Sequence, residues 1–178
     1  MSSPRIRYQL AVSLDGFIGP EDGSADWLDP YGDVAMDLIV PFMKEIGGLI
    51  MGRVTWEQMR SFGPGPFDDM PTVVMTSNSR LEVSDNARPC TQGPKAAIAT
   101  LEDMMGRDDI WLFGGGKTAA AFLDESLIDL IELTTVPVVL GQGLPLFPGV
   151  CDPVTFDLVS SKPGKLGVIS TTYRKSTG

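Results

Sequence analysis

The chain has 178 residues, of which 43% are hydrophobic and 21% charged, and its formal net charge is -9 at pH 7. That size and balance predict one globular domain over 1–178 with its own core, and the acidity argues against a nucleic-acid ligand, whose phosphates demand a basic surface. The chain contains no histidine, which removes Ser-His-Asp and Cys-His catalysis and histidine-based metal sites, and with Cys90 and Cys151 as its only thiols no metal site is expected.

In chain order, 5–13 (RIRYQLAVS) reads as a first strand. A Gly-, Asp- and Pro-rich loop follows over 14–32. Val34, Leu38, Phe42 and Ile46 recur at helical spacing and predict a helix over 33–46. Pro41 should kink or split it, and Gly47-Gly48 should end it. A short buried strand at 49–51 leads through Gly52 into a helix from Arg53 to Met59. The Gly/Pro stretch 61–70 is a loop, 72–76 a strand, 77–81 a polar turn and 87–90 a weak strand. Pro94 opens a helix expected to reach Met105. A strand at 109–113, three glycines and a helix at 117–124 follow.

Beyond Ile128 the pattern is β-rich. A long strand over 130–140 is interrupted by Pro137, and 141–148 is a Gly/Pro turn. Segments 154–160 and 166–173 form a closing pair around 162–165. Strands and helices alternate over two thirds of the chain, so the expectation is an α/β fold with a mostly parallel sheet and an antiparallel C-terminal edge. No apolar run approaches the roughly 20 residues of a membrane span. The start, MSSPRIRYQLAVSLDG, lacks the apolar core of a secretory leader. A cytoplasmic location with reduced thiols is therefore expected, with no membrane partner.

The stretch IWLFGGGKTAAAFLDES (110–126) ends its glycines in Gly116-Lys117-Thr118, like the tail of a P-loop. A P-loop would place its first glycine at 111, where this chain has Trp111 inside an apolar strand. What remains is strand, glycine turn and helix, which serves either as a tight turn or as an anion site at a helix N-terminus. LIMGRVTWEQM (49–59) repeats the theme: Gly52 allows close approach, and Arg53 and Thr55 stand at the helix start. Ser77 to Arg80 closes a third strand with hydroxyls and a cation. Ligands of open α/β sheets bind outside the carboxyl ends of the strands. Two helix N-termini and two arginines there suit a molecule with several phosphates, such as a dinucleotide bearing a 2′-phosphate. A G-x-G-x-x-G fingerprint is absent.

These motifs resemble the dihydrofolate reductase-like family, most closely the reductase domain of bacterial riboflavin biosynthesis (the C-terminal half of a bifunctional deaminase-reductase) and its small stand-alone relatives. The matching segments are AVSLDGFIG (11–19), DGSADWL (22–28), LIMGRVTWE (49–57), VVMTSNSR (73–80), IWLFGGGKTAAAFLDESLID (110–129) and TVPVVLGQGLPLF (135–147). They run in family order along the chain. The resemblance implies a three-layer fold, with a mixed sheet flanked by helices, an NADPH cofactor and a homodimer.

It also implies residue roles. Gly52, Arg53 and Thr55 would hold phosphates, with Arg53 near the 2′-phosphate, and Ser77 and Arg80 would flank the adenosine. Gly114, Gly115, Gly116 and Lys117 would receive the pyrophosphate and nicotinamide side. Ala11 and Ile18 would line the nicotinamide region. Trp56, Trp111 and Phe113 read as core or pocket wall, and Phe113, beside the glycines, is counted with the cofactor residues. Asp15 matches an aspartate that riboflavin-type reductases present to a ribose phosphate, and it also suits a turn before Gly16. Asp33 and Asp37, four apart on one helix face, are candidates for an acid supporting substrate protonation, or simply helix-start charge. Asp26-Trp27-Leu28 lacks the proline that usually precedes that tryptophan in folate enzymes, and the deaminase half and an evident arginine-rich phosphate pocket are absent. The expected activity is an NADPH-dependent reductase of the 5-amino-6-(5-phosphoribosylamino)uracil reductase type or a related small-heterocycle reductase. Dihydrofolate reductase activity and a non-catalytic dinucleotide-binding module are the alternatives.

Overall fold

The computed structural model describes residues 3–106, 108–150 and 152–176. Its main sheet contains eight strands. In chain order these are β1 (Ile6–Ser13), β3 (Ile46–Gly52), β4 (Thr72–Met75), β5 (Ala87–Cys90), β6 (Asp109–Gly114), β7 (Leu130–Val136), β9 (Phe156–Pro163) and β10 (Ile169–Lys175). Their spatial order is β5-β4-β3-β6-β1-β7-β10-β9. The first six in sheet order are parallel, and β10 runs antiparallel to both β7 and β9. The expected mixed sheet with an antiparallel C-terminal edge is borne out. Two short strands, β2 (Phe17–Gly19) and β8 (Leu144–Pro145), pair separately.

Four helices connect the parallel strands: α1 (Gly32–Met43), α2 (Arg53–Ser61), α3 (Pro94–Glu102) and α4 (Gly116–Asp124). The crossovers through α1 and α2 step toward β5, and those through α3 and α4 step the other way. Right-handed crossovers in opposite directions put the helices on opposite faces. The core divides accordingly. Ala97, Leu101, Ala119 and Phe122 of α3 and α4 pack on Tyr8, Ile50, Val73 and Leu112. Phe42 and Trp56 of α1 and α2 pack on the alternate positions Leu49, Met51, Val74 and Trp111. Strand alternation thus sends successive residues into two cores.

Several boundaries differ from the sequence reading. The helix expected over 33–46 spans Gly32–Met43, and Pro41 falls in its last turn without splitting it. Ile46, Gly47 and Gly48 belong to β3, not to a helix stop. A Cβ on Gly48 would lie 2.8 Å from Leu101 Cδ1 and 3.0 Å from Pro71 O. The glycine pair therefore admits the end of α3 against the strand. The loop over 14–32 contains β2 and a 3-10 helix, Asp26–Tyr31, and the turn at 141–148 contains β8.

The third helix ends at Glu102, short of Met105. The strand expected over 130–140 stops at Val136, because Pro137 offers no N–H to a ladder. The closing strands are shifted to Phe156–Pro163 and Ile169–Lys175, and Pro163 is tolerated because β9 is the sheet edge. A 3-10 turn at Lys165–Gly167 sits between them in a stretch expected to be free of helix. Cys90 is a free, buried thiol, and Cys151 lies outside the described residues. No helix among the described residues is long and apolar enough to cross a membrane.

At the edge where the parallel strands begin, an ion network fixes the register. The buried Arg7 guanidinium bonds both Glu132 oxygens at 2.7 and 2.8 Å, and it also reaches Glu45 at 2.6 Å and Asp109 at 3.2 Å. It also stacks 4.5 Å from the Phe42 ring centroid. Arg5 holds Asp109 from the outer side.

Candidate functional site: the carboxyl edge of the parallel strands

Sheet pairing itself opens a cleft. β1 and β6 pair only at Ile6↔Ile110 and Arg7↔Trp111, whereas β1 and β7 stay paired through Ser13↔Val136. The carboxyl halves of β1 and β6 therefore separate. Trp111 bridges the split on the α1 side, its indole N–H donating to Gln9 O at 3.0 Å. The chain leaves β1 toward β3 and leaves β6 toward β7. This is the strand-order reversal at which ligands of open α/β sheets bind.

Two helix N-termini converge on the β3–β6 side of that cleft. α2 begins after Gly52 and α4 after Gly115. Neither has a side-chain cap or an acidic residue in its first turn. Their first N–H groups are thus left for an external acceptor, with the positive end of the helix dipole behind them. A Cβ on Gly52 would lie 2.5 Å from Thr118 Oγ1, and one on Gly115 would lie 3.5 Å from Thr55 Oγ1. Gly114 adopts φ +127, and nothing lies within 4 Å of where its Cβ would stand. This leaves open backbone at the mouth. The Gly114–Gly115 peptide is cis.

Around these turns Arg53 is exposed and paired with Glu57 at 2.6 and 2.7 Å. Ser77 and Arg80 are exposed beyond β4, and the Arg80 amide closes a turn onto Asn78 Oδ1 at 3.0 Å. Lys117 is exposed on α4. Phe113 is half-buried, with its ring 4.6 Å from Trp111 and 5.5 Å from Phe67. Ala11 is half-buried on β1 opposite Thr134, and Ile18 is half-buried in β2.

The β1 side is built differently. Asp15 accepts the Ser13 hydroxyl at 2.7 Å, the Leu140 amide at 3.1 Å and the Gly141 amide at 2.7 Å. The Ser13 hydroxyl bond, with help from the two amides, holds its carboxyl below the usual range. Asp15 thus ties the turn after β1 to the turn after β7. The amide of Leu146 reaches Gly16 O at 3.1 Å, adding to the β2–β8 flap. Gln58 on α2 donates to Gly23 O, which pins the 20–25 loop across the edge. Asp33 is exposed in the first turn of α1. Asp37 is exposed one turn on, 3.6 Å from Lys165 Nζ in the β9–β10 turn.

The structure thus gathers the expected phosphate residues around one pair of helix ends and sets the three aspartates apart on the β1 side. Thr118, the loop amide of Leu140 and Gln58 were not singled out from sequence. Thr118 had a signal, because G-x-x-T occurs at both strand-helix turns. Among the described residues, no group of three or more metal-ligating side chains could hold a metal ion. An apolar concavity of about 360 Å³, lined by Leu123, Ile131, Phe147, Val150 and Phe156, lies on the α4 face beside β9, apart from this cleft.

Known proteins share this sequence and fold. The sequence model of the RibD C-terminal domain matches residues 4–170. The uncharacterised protein YwjB of Bacillus subtilis is 35% identical over 139 residues, covering 78% of this chain and 79% of its own. A solved protein assigned to riboflavin biosynthesis in Shewanella sp. PV-4 superposes with a TM-score of 0.80 at 30% identity, covering 97% of this chain and 99% of that one. Dihydrofolate reductase of Enterococcus faecalis, solved with NADP(H), superposes at 0.66 with 22% identity, over 97% of this chain and 96% of its own, and so shares the fold. The chain belongs to the RibD C-terminal domain family, carried on a dihydrofolate reductase-like fold.

Proposed function

We propose that the protein is an NADPH-dependent oxidoreductase that reduces a small pyrimidine-type heterocycle. One observation carries the reading: two uncapped helix N-termini, from opposite faces of the sheet, meet at the carboxyl ends of β3 and β6 with Arg53 and Lys117 in their first turns. Backbone N–H groups and dipoles of this kind suit a pyrophosphate, and a nearby arginine suits a 2′-phosphate. The glycine cradle, which a side chain would fill, supports the same fit.

In this reading α4 and Gly114 to Gly116 take the pyrophosphate. Arg53, leaving Glu57, takes the 2′-phosphate, and Ser77 and Arg80 flank the adenosine. Ala11, Ile18 and Phe113 wall the nicotinamide end. When bound, NADPH supplies a hydride to an electrophilic ring carbon. The displaced electron pair on the substrate heteroatom takes a proton from water. The chain's own part is to align donor and acceptor and to exclude bulk water with the β2–β8 flap. Asp33 and Asp37, exposed on α1, would serve the substrate end, and Asp15, bonded to the turn after β7, would shape it.

A titration of tryptophan fluorescence with NADPH and then NADH tests the reading, because Trp56 and Trp111 stand beside the site. NADPH should bind at least about tenfold more tightly than NADH, the worth of one charged phosphate contact. Binding of neither nucleotide removes the reading. Binding without NADPH oxidation across a panel of pyrimidines and pteridines would instead support a non-catalytic module. The homodimer implied by the family is tested by light scattering at assay concentration, where a monomer removes it.

A further inference from the structure

The start of α2 is charged against the needs of a helix. Arg53 is its first residue, Glu57 stands one turn on, and the first turn holds no acid. A cation at a helix N-terminus meets the positive end of the dipole, and an acid four residues C-terminal to its cation is the weaker order for a helical pair. Both side chains are exposed, and an exposed pair of this spacing adds little to stability. The stability of α2 therefore explains neither residue. Local departures of this kind gather at functional sites.

The pair is also lopsided. A single guanidinium nitrogen, Arg53 Nη1, donates to both Glu57 oxygens at 2.7 and 2.6 Å, which leaves Nε and Nη2 outside the pair. Side chains lean toward the N-terminus of a helix, so the Glu57 carboxylate comes back over the first turn. Arg53, Arg80 and Lys117 are the cations around these turns, and of the three only Arg53 takes part in an ion pair among the described residues. One guanidinium and one carboxylate thus stand together beside the Gly52 turn.

We infer that Glu57 is a specificity-determining residue of the nucleotide site: it accepts the ribose 2′-hydroxyl of a nucleotide that lacks the 2′-phosphate, and so admits NADH as a second, weaker cofactor. On the NADPH reading, on which this rests, Arg53 meets the 2′-phosphate, and the carboxylate bonded to Nη1 then lies beside the same ribose carbon. A carboxylate there accepts a hydroxyl and repels a phosphate dianion, whereas an arginine favours the phosphate. With NADH the ion pair stays closed and the hydroxyl donates to Glu57. With NADPH the dianion takes the guanidinium and Glu57 turns to solvent. NADPH remains the tighter ligand, and Glu57 narrows the gap.

Fluorescence titrations with NADH and NADPH, run on the parent, Glu57→Gln, Arg53→Ala and Arg53→Ala/Glu57→Gln, test this. Glu57→Gln should weaken NADH by about threefold and tighten NADPH by about threefold, so that the ratio of the two affinities rises about tenfold. Opposite shifts mark a contact at the ribose, because a structural loss would weaken both nucleotides together. The NADH loss should persist where Arg53 is already alanine, since the hydroxyl bonds Glu57 itself. Circular dichroism should show every variant folded, because both side chains are exposed. An unchanged ratio in Glu57→Gln overturns the inference and leaves the NADPH reading standing. So does an NADH loss that vanishes in the Arg53→Ala background, or a parent that binds NADPH but not NADH. Failure of the parent to bind either nucleotide removes the NADPH reading itself, and the role of Glu57 with it.

Discussion

The hydroxyl of Thr118, on α4, stands over Gly52, the residue that precedes α2; a Cβ there would come within 2.5 Å of it. The relation is reciprocal, since Thr55 stands over Gly115, the residue that precedes α4. Each threonine is the third residue of its helix, so the two turns interlock and aim both sets of free amides at one place. Gly52→Ala should therefore displace Thr118 and weaken NADPH binding by about tenfold, roughly 1.4 kcal/mol. Thr118 Cβ lies 3.9 Å from the same point, an ordinary contact. Gly52→Ala/Thr118→Ala should thus recover most of the loss. A fluorescence titration of the four proteins gives the coupling directly, and additive losses would refute the interlock.

Arg53 should set the choice between NADPH and NADH. Its guanidinium is exposed and its partner Glu57 is an i,i+4 neighbour, so releasing it costs little. Arg53→Ala should weaken NADPH by about tenfold or more, since hydrogen bonds to a charged group contribute about 1.5–3 kcal/mol. NADH affinity should stay unchanged. Glu57→Gln should move NADPH binding the other way by freeing the guanidinium. Equal losses for both nucleotides would place Arg53 on the pyrophosphate instead.

Arg7 belongs to stability and not to the site. Its buried guanidinium answers Glu132, Glu45 and Asp109 at the opposite edge of the sheet. Arg7→Ala leaves those carboxylates without their shared cation and should cost about 3 kcal/mol in denaturant unfolding. NADPH affinity measured on the folded variant should change by less than about twofold, as befits distant, independent sites.

The same network gives an acid limb to stability. Burial alone would raise the Asp109 carboxyl, but hydrogen bonds and charge from Arg5, with Arg7 behind, hold it below its ordinary value of 3.8. A depressed folded value means that the stabilisation is full above roughly pH 4 and is lost as pH falls through the folded value. Thermal midpoints should fall between pH 4 and pH 2 more steeply in the parent than in Asp109→Asn. The variant should also be less stable at pH 7. Parallel curves would assign the acid limb to other carboxylates.

Much of this architecture is legible in the sequence because period and punctuation carry it. The apolar run Ile110 to Phe113 before three glycines fixes β6, the turn and α4 together. LIMG before RVTWEQM does the same for β3 and α2. The misread pieces depend on contacts far along the chain. Gly47-Gly48 looks like a helix stop, and only the side chains of Leu101 and Met105 packed against it explain its place in a strand. β2 and β8 are too short to show a period and exist through each other. The candidate phosphate residues could be named because the chemistry proposed for them is local to each turn. The splayed pairing of β1 and β6, which makes the cleft, is a register property that no single segment encodes.

Asp15 separates a substrate-contacting role from a positioning one. Its carboxylate accepts the amides of Leu140 and Gly141 and the Ser13 hydroxyl, and the Ser13 hydroxyl in turn accepts the Phe17 amide at 2.9 Å. One side chain therefore fixes both turns that carry the β2–β8 flap. Asp15→Ala should raise hydrogen exchange at the Leu140 and Gly141 amides by about tenfold or more, because their acceptor is lost and local opening becomes cheaper. Asp15→Asn keeps one oxygen acceptor and should fall between the parent and the alanine variant. The parent itself should show faster exchange at these two amides, relative to the intrinsic rate, as pH falls through the lowered value of this carboxyl, because protonation weakens an acceptor that the fold holds ionised. If Asp15 served substrate alone, all three proteins would exchange alike at 140 and 141, and the variants would differ only in kcat.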